Sequence, residues 1–221
     1  RFEGNLMRLF SYFFPQSVIR SSSPSNKKIE VREINGRNAL LVNGIQQTGP
    51  YTENLWRIGL RPIIEKTAGR VSDILIFGVG GGTVFRMFRK QFPGARITGV
   101  DIDREIIRIA QKYFGLDEVP NLSLVCEDAR RFAEGSRNGR KYDCIVIDLY
   151  IGNDVPEFVT GKPFLLSVSR LLRSGGSIVI NYFTEKNQRI STQTLHKRLA
   201  GICQSVKMKN VLRNIFFYVV K

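Results

Sequence analysis

From residue 72 onward, short unbroken apolar runs alternate with stretches in which apolar residues recur every three or four positions. The runs predict strands at Ile74–Phe77, Arg96–Val100, Leu122–Cys126, Tyr142–Ile147 and Ser177–Asn181. The periodic stretches predict helices at Thr83–Phe92, Arg104–Phe114, Pro163–Leu172 (closed by Ser174-Gly175-Gly176) and Gln188–Ile202. A strand apolar at every position has no face for water, so these strands belong to a parallel sheet covered by helices on both sides. The chain ends differently. Ser205–Met208 and Asn214–Val220 read as strands joined by a few residues, too few for a parallel crossover, so the last strand runs antiparallel to its predecessor.

Upstream, Lys28–Arg32 and Ala39–Val42 flank Asn35-Gly36, and Asn43-Gly44 follows, which predicts three short strands joined by two tight turns, a small β-meander. Leu55, Ile58 and Ile63 mark a helix over Glu53–Glu65 that Pro62 should break or kink. The apolar segment Leu6–Phe14 is too short to span a membrane and reads as a helix packed on the domain, with peripheral membrane contact as the weaker reading. The polar Arg20–Lys28 reads as a linker. The division is residues 1–65 for these N-terminal parts and 66–221 for an α/β domain.

With 221 residues, 43% of them hydrophobic, the chain can bury a sizeable core without disulfides, which excludes a disordered or disulfide-scaffolded class. Three dispersed cysteines, two of them (Cys126 and Cys144) in runs that read as buried strands, suit a reducing compartment, and the expected location is cytoplasmic. One histidine, His196, on a polar helical stretch, leaves too few ligands for a transition metal; neither it nor Trp56, read as packing, is given a role. Lys and Arg number 34 against 19 Asp and Glu, a net charge of +15, which attracts polyanions and repels cationic polyamines. The basic residues are scattered (Arg86, Arg89, Lys90; Arg130, Arg131, Arg137, Arg140, Lys141; Lys197, Arg198, Lys207, Lys209), so nucleic acid is a partner to consider but not the favoured one.

The candidate chemistry begins at Gly78-Val79-Gly80-Gly81-Gly82, between a buried strand and a helix, where a ligand can approach bare backbone. Asp101 ends the next strand 21 residues after Gly80, where a carboxylate can accept hydrogen bonds from both ribose hydroxyls. A nucleoside is the implied ligand. The dinucleotide fingerprint places glycine where this chain has Thr83, and Glu127-Asp128-Ala129 offers a carboxylate for an adenine amino group; both favour a sulfonium nucleoside over NAD.

The runs GVGGGTVFR, Val100-Asp101-Ile102-Asp103, Glu127-Asp128-Ala129-Arg130 and Tyr142 to Asp148, in this order, resemble the spermidine synthase-like branch of the class I methyltransferase fold. Asn43-Gly44-Ile45-Gln46 and Tyr51-Thr52-Glu53 extend the resemblance upstream, so that it covers the chain from about Ile29 onward. It implies a Rossmann-like, mostly parallel sheet with an antiparallel last strand. It further implies a donor lined by Gly78, Gly80, Gly81 and Gly82, ribose held at Asp101 and Ile102, adenine at Asp128 and Ala129, and Gln46 closing the site. Asp148 would face the acceptor and take its proton, since an ammonium cannot attack until a proton leaves. Tyr51, Thr83, Tyr150 and Asp154 would border the acceptor, the last two on a lid over Leu149–Thr160.

The departures carry information too. Aminopropyltransferases have Asp at position 83, His at position 52 and a compact Asp-x-x-Asp-Pro segment; here stand Thr83, Thr52 and the spread-out Asp148 to Pro156. The expected activity is therefore methyl transfer from S-adenosylmethionine to a small-molecule acceptor, without metal. Aminopropyl transfer from decarboxylated S-adenosylmethionine is the alternative, and an RNA methyltransferase or a non-catalytic binding module stand further back. The resemblance also implies a homodimer.

Overall fold

The architecture is that of a computed structural model, which describes residues 11–67, 71–135, 139, 141–151, 154–183 and 189–221. The segment 6–10, positions 152 and 153 of the expected lid, and Arg137, Arg140 and Gln188 lie outside the described residues. Four strands come first, each antiparallel to the next: β1 (Gln16–Ser21), β2 (Ile29–Ile34), β3 (Arg37–Val42) and β4 (Ile45–Gln46). Asn35-Gly36 and Asn43-Gly44 turn with φ of 51° and 70°, and 50° and 85°, the left-handed pairs that suit the twist of paired strands. This is the expected meander with one strand more. β1 lies mostly ahead of the expected linker and shares only Arg20 and Ser21 with it; its register slips between Ser17 and Ile19 and no residue of it is fully buried, so it has no alternating pattern to read.

Helix α1 (Pro50–Thr67) passes through Pro62 instead of breaking there. A mid-helix proline costs about 3 kcal/mol, and the buried face of Leu55, Trp56, Leu60 and Ile63 offsets it, since each large apolar side chain buried contributes about 1.5–3 kcal/mol. The main domain follows as β5 (Asp73–Phe77), α2 (Thr83–Gln91), β6 (Arg96–Asp101), α3 (Arg104–Phe114), β7 (Leu122–Cys126), α4 (Ala129–Gly135) and β8 (Tyr142–Ile147). A 3₁₀ turn at Glu157–Thr160 leads to α5 (Lys162–Leu171), β9 (Leu172–Phe183), α6 (Arg189–Ala200), β10 (Ser205–Val211) and β11 (Asn214–Val220). The short α4 carries no readable periodicity and was not expected.

The seven strands lie in the order β10-β11-β9-β8-β5-β6-β7. β5 through β9 pair in parallel, and β11 runs antiparallel to both β9 and β10, as the short final connection required. Consecutive residues of β5 face opposite ways and are all buried: Ile74 and Ile76 pack in the cluster that holds Trp56, Phe85 and Ile109, and Leu75 and Phe77 in the one that holds Phe164, Val168 and Leu199. The first cluster also takes Ile29, Val31 and Leu40 of the meander, so one core runs across the division expected at residue 65.

β9 is longer than expected because its register jumps: Leu172 pairs Tyr142, then Ser177 pairs Cys144, with Gly175 at φ 75° in the bulge. Arg173 of this bulge bonds Asp73 at 2.8 Å and Asp143 at 2.7 Å, while Arg96 holds Asp73 through two bonds of 2.9 Å. These ties clamp the starts of the strands and leave their carboxyl ends free. Cys144 is buried, which pushes its thiol up to about 12, but Cys126 is exposed, because β7 is the edge strand of the sheet. Among the described residues no helix is long and apolar enough to cross a membrane, and no group of three His, Cys, Asp or Glu could hold a metal ion.

Candidate functional site

Strand order reverses between β6, on one side of β5, and β8, on the other, and open α/β sheets bind ligands in the crevice at such a point. Here that crevice is a cavity of about 500 Å³. Gly78 N–H donates to Val100 O at 2.8 Å and Asp148 N–H to Phe77 O at 2.9 Å, which stitches the tip of β5 to both neighbours. At Gly78 (φ 96°) an added Cβ would lie 2.1 Å from the carbonyl oxygen of Asp148, so glycine is required by contact as well as by conformation. A Cβ on Gly80 would meet nothing within 4 Å, so the backbone there borders open cavity. Gly78, Gly80 and Gly81 all line it. Gly82 does not: it caps α2 from behind, where a Cβ would strike Leu116 at 2.6 Å.

Three carboxylates stand at the strand tips. Asp101 accepts from Val79 N–H at 2.8 Å and Asp103 N–H at 2.9 Å; burial pushes its carboxyl up while these amides work against the shift. Ile102 beside it lines the cavity and is 58% exposed, an apolar surface open to a ligand. Asp128 is gripped by Arg130, with contacts of 3.1 and 2.8 Å, and this pairing holds its carboxyl below the usual range. The Arg130 guanidinium lies 4.8 Å from the centre of the Phe158 ring, and both residues line the cavity next to Ala129.

Asp148 lines the cavity at the end of β8, and burial pushes its carboxyl up to about 6, opposed by one hydrogen bond from Asn181 Nδ2 at 2.9 Å. Asn214 Nδ2 donates to Asn181 Oδ1 at 2.8 Å, which fixes the Asn181 amide with its NH2 toward Asp148. Tyr150, also at the cavity, donates to Asn181 O at 3.2 Å and accepts from Asn214 Nδ2 at 3.4 Å; burial raises its phenol far above the ordinary value. Asn181 and Asn214 come from the antiparallel pair β9 and β11, so the unusual end of the sheet sets the state of Asp148.

Besides Gly82, three more residues expected at the site lie beside it. Gln46 is exposed and donates to Thr48 O at 2.6 Å, whereas Gln47 lines the cavity; neighbours along an extended chain face opposite ways, so one position decides. Tyr51 is 51% exposed, while Thr52 and Trp56, four apart on one face of α1, line the cavity. Asp154 bridges Ile151 through bonds of 2.9 and 3.2 Å on the exposed side of the β8–α5 connection, and Pro156 and Phe158 turn inward in its place. Thr83 does line the cavity; it is 8% exposed and its buried Oγ1 has no hydrogen-bond partner.

The stretch read as a linker also reaches the site. Ser23 Oγ and Asn26 Nδ2 donate to Asp103 Oδ2 at 2.5 and 2.7 Å, and Ser21 Oγ donates to Glu105 at 2.6 Å, which draws Ser25 and Asn26 to the cavity wall. The Asp103 side chain already caps α3 through Glu105 N–H, so the sequence signal for these contacts is a helix cap with lone pairs to spare. Trp56, read only as packing, meets Phe216 edge-on at 5.2 Å and is part of the cavity wall as well.

A family profile described as a methyltransferase domain matches residues 74–176. A polyamine aminopropyltransferase of Vibrio vulnificus is 34% identical over 112 residues, 50% of this chain and 38% of that enzyme. The chain thus spans well under two thirds of the length of this curated relative. Among solved structures, a probable spermidine synthase from Corynebacterium glutamicum superposes with a TM-score of 0.75 at 21% identity, covering 92% of this chain and 79% of the other. Human methyltransferase-like protein 13 in complex with SAH gives 0.64 at 19% identity, covering 78% and 82%. With the strand order and the glycine turn, these likenesses show that the chain has the class I methyltransferase fold, similar both to spermidine synthases and to methyltransferases.

Proposed function

We propose that the cavity binds S-adenosylmethionine and that the chain transfers its methyl group to a small amine held at Asp148. The residues fit such a donor. Gly80 leaves backbone bare beside open space, and Asp101, whose charged form the Val79, Asp103 and Gly80 amides all favour, keeps lone-pair capacity for a ribose hydroxyl. Ile102 offers an uncovered apolar face for a purine, and Asp128 an acceptor for its amino group. When bound, the sulfonium supplies a carbon already activated toward attack.

What remains for the protein is alignment, exclusion of water and removal of one proton. Alignment is worth about 7–11 kcal/mol in favourable cases. Trp56, Tyr150 and Phe158 wall the cavity with rings, which favours a dry site. Asp148, with a carboxyl near 6, is mostly ionised at neutral pH and can accept the proton that the acceptor's ammonium loses before its freed nitrogen attacks the methyl carbon and the sulfur leaves as a neutral thioether.

The observation that carries methyl over aminopropyl transfer is Thr83. At the position where the resemblance places a carboxylate for the donor's ammonium in aminopropyltransferases, this chain buries a neutral hydroxyl with no partner. Loss of a charged hydrogen bond costs about 1.5–3 kcal/mol, or tenfold and more in affinity. Aminopropyl transfer is the second reading, supported by the identity to the Vibrio enzyme. The nucleoside product separates the two. Offered both donors with butylamine and 1,4-diaminobutane, the chain should release S-adenosylhomocysteine; release of methylthioadenosine from the decarboxylated donor would reverse the assignment.

A further inference from the structure

A second cavity, of about 560 Å³, lies between α1 and α2. Arg57 projects into it from α1, and Arg86 and Lys90, four apart on one face of α2, from the other side. Among the described residues, Glu53 is the one acid in its wall. Neither arginine uses another carboxylate: Arg57 donates to Asn54 Oδ1 at 2.6 Å, and Arg86 to the carbonyls of Gly81 and Phe114, each at 2.9 Å. Three cations facing one acid across an open cleft repel one another, and the positive end of α2 adds to the same field. An anion relieves that repulsion.

Thr83, the first residue of α2, belongs to the walls of both cavities. The nucleoside cavity and the cationic cleft are therefore neighbours across one residue, and that residue holds a buried hydroxyl without a partner. A donor whose tail runs along the glycine turn ends at this partition. S-adenosylmethionine and its decarboxylated form differ there in a single group, the carboxylate. We infer that the cleft formed by Arg57, Arg86 and Lys90 seats the carboxylate of the donor's tail, with Thr83 as the hydrogen-bonding partition, and so selects the full donor over the decarboxylated one. The inference rests on the donor reading above and deepens it: the cations attract the carboxylate of one donor and repel the bare ammonium tail of the other.

Calorimetric titration with the two donors tests this without turnover. Arg86 is left intact because it braces the glycine turn; Arg57 and Lys90 are exposed and can be replaced together. The Arg57→Gln/Lys90→Gln chain should bind S-adenosylmethionine about threefold to tenfold more weakly, the range for partly screened charges, and the decarboxylated donor no more weakly than the unaltered chain does. Arg57→Glu/Lys90→Glu should reverse the preference, and added salt should weaken S-adenosylmethionine binding selectively. Thermal melts establish that both variants fold. Equal loss for both donors, or no change for either, overturns the carboxylate seat. An unaltered chain that binds neither compound overturns the donor reading itself, a different failure.

Discussion

Replacement of Asn181 by leucine is the most informative perturbation of the acceptor end. The Asn181 amide supplies the one hydrogen bond that opposes the rise of the Asp148 carboxyl, and Asn214 fixes which end of that amide faces it. A hydrogen bond to a charged group is worth about 1.5–3 kcal/mol, which corresponds to about one to two pH units. The Asp148 midpoint, about 6 in the native chain, should therefore move to about 7–8 in Asn181→Leu, so the ionised fraction at pH 7 drops from about nine tenths to between a half and a tenth. The stability of the fold responds with a definite sign. A carboxyl raised from 3.8 to about 6 binds more protons in the folded than in the unfolded chain between those values, so the native fold loses about 3 kcal/mol as pH rises through that window; in the variant the loss continues to about pH 7–8. Carbon-detected NMR titration of the aspartate carboxyls, with Asp148→Asn to identify the resonance, reads the midpoint directly. A midpoint that stays near 6 or falls, in a chain whose melt shows it folded, would refute the role given to Asn181.

Gly78→Ala and Gly80→Ala should separate fold from ligand. The first drives a Cβ to 2.1 Å from a backbone oxygen at φ 96° and should cost more than about 2 kcal/mol in urea unfolding. The second meets no neighbour, should cost about 1–2 kcal/mol for its left-handed backbone, and should abolish or sharply weaken nucleoside binding in calorimetry. On the acid side, the Arg108 guanidinium and then the Ser21 hydroxyl hold Glu105 down to about 2 from 4.5, so its contribution is present above 4.5 and is lost as pH falls toward 2. Ser21→Ala should lower the melting temperature at pH 7 and flatten its decline between pH 5 and 2; an unchanged slope would show that Ser21 does not anchor the meander to α3.

The strands were legible because buried parallel strands are apolar at every position, and the boundaries of α3 fell as expected between the Asp103 cap and Gly115. The glycine turn and the acidic strand tips were legible for a related reason: φ above zero and lone pairs at a strand end demand particular residue types. What stayed hidden depends on which way a side chain faces. Gln46 against Gln47, and Tyr51 against Thr52, are adjacent choices that pleat and helical phase decide only once the meander and α1 are docked. Arg130 over Phe158, and the relay from Asn214 through Asn181 to Asp148, join residues far apart in the chain, and no local pattern announces them. The strand β1 was hidden because its partner, β2, supplies the order that its own residues lack.

A crystal structure of the chain with S-adenosylhomocysteine tests the central claim most directly. The account predicts the nucleoside in the cavity at the ends of β5, β6 and β7, its ribose hydroxyls within hydrogen-bonding distance of the Asp101 carboxylate, its purine against Ile102 and its amino group at Asp128. Density for the nucleoside elsewhere, or an Asp101 that keeps only its bonds to the backbone amides while the ribose lies away from it, would contradict the account.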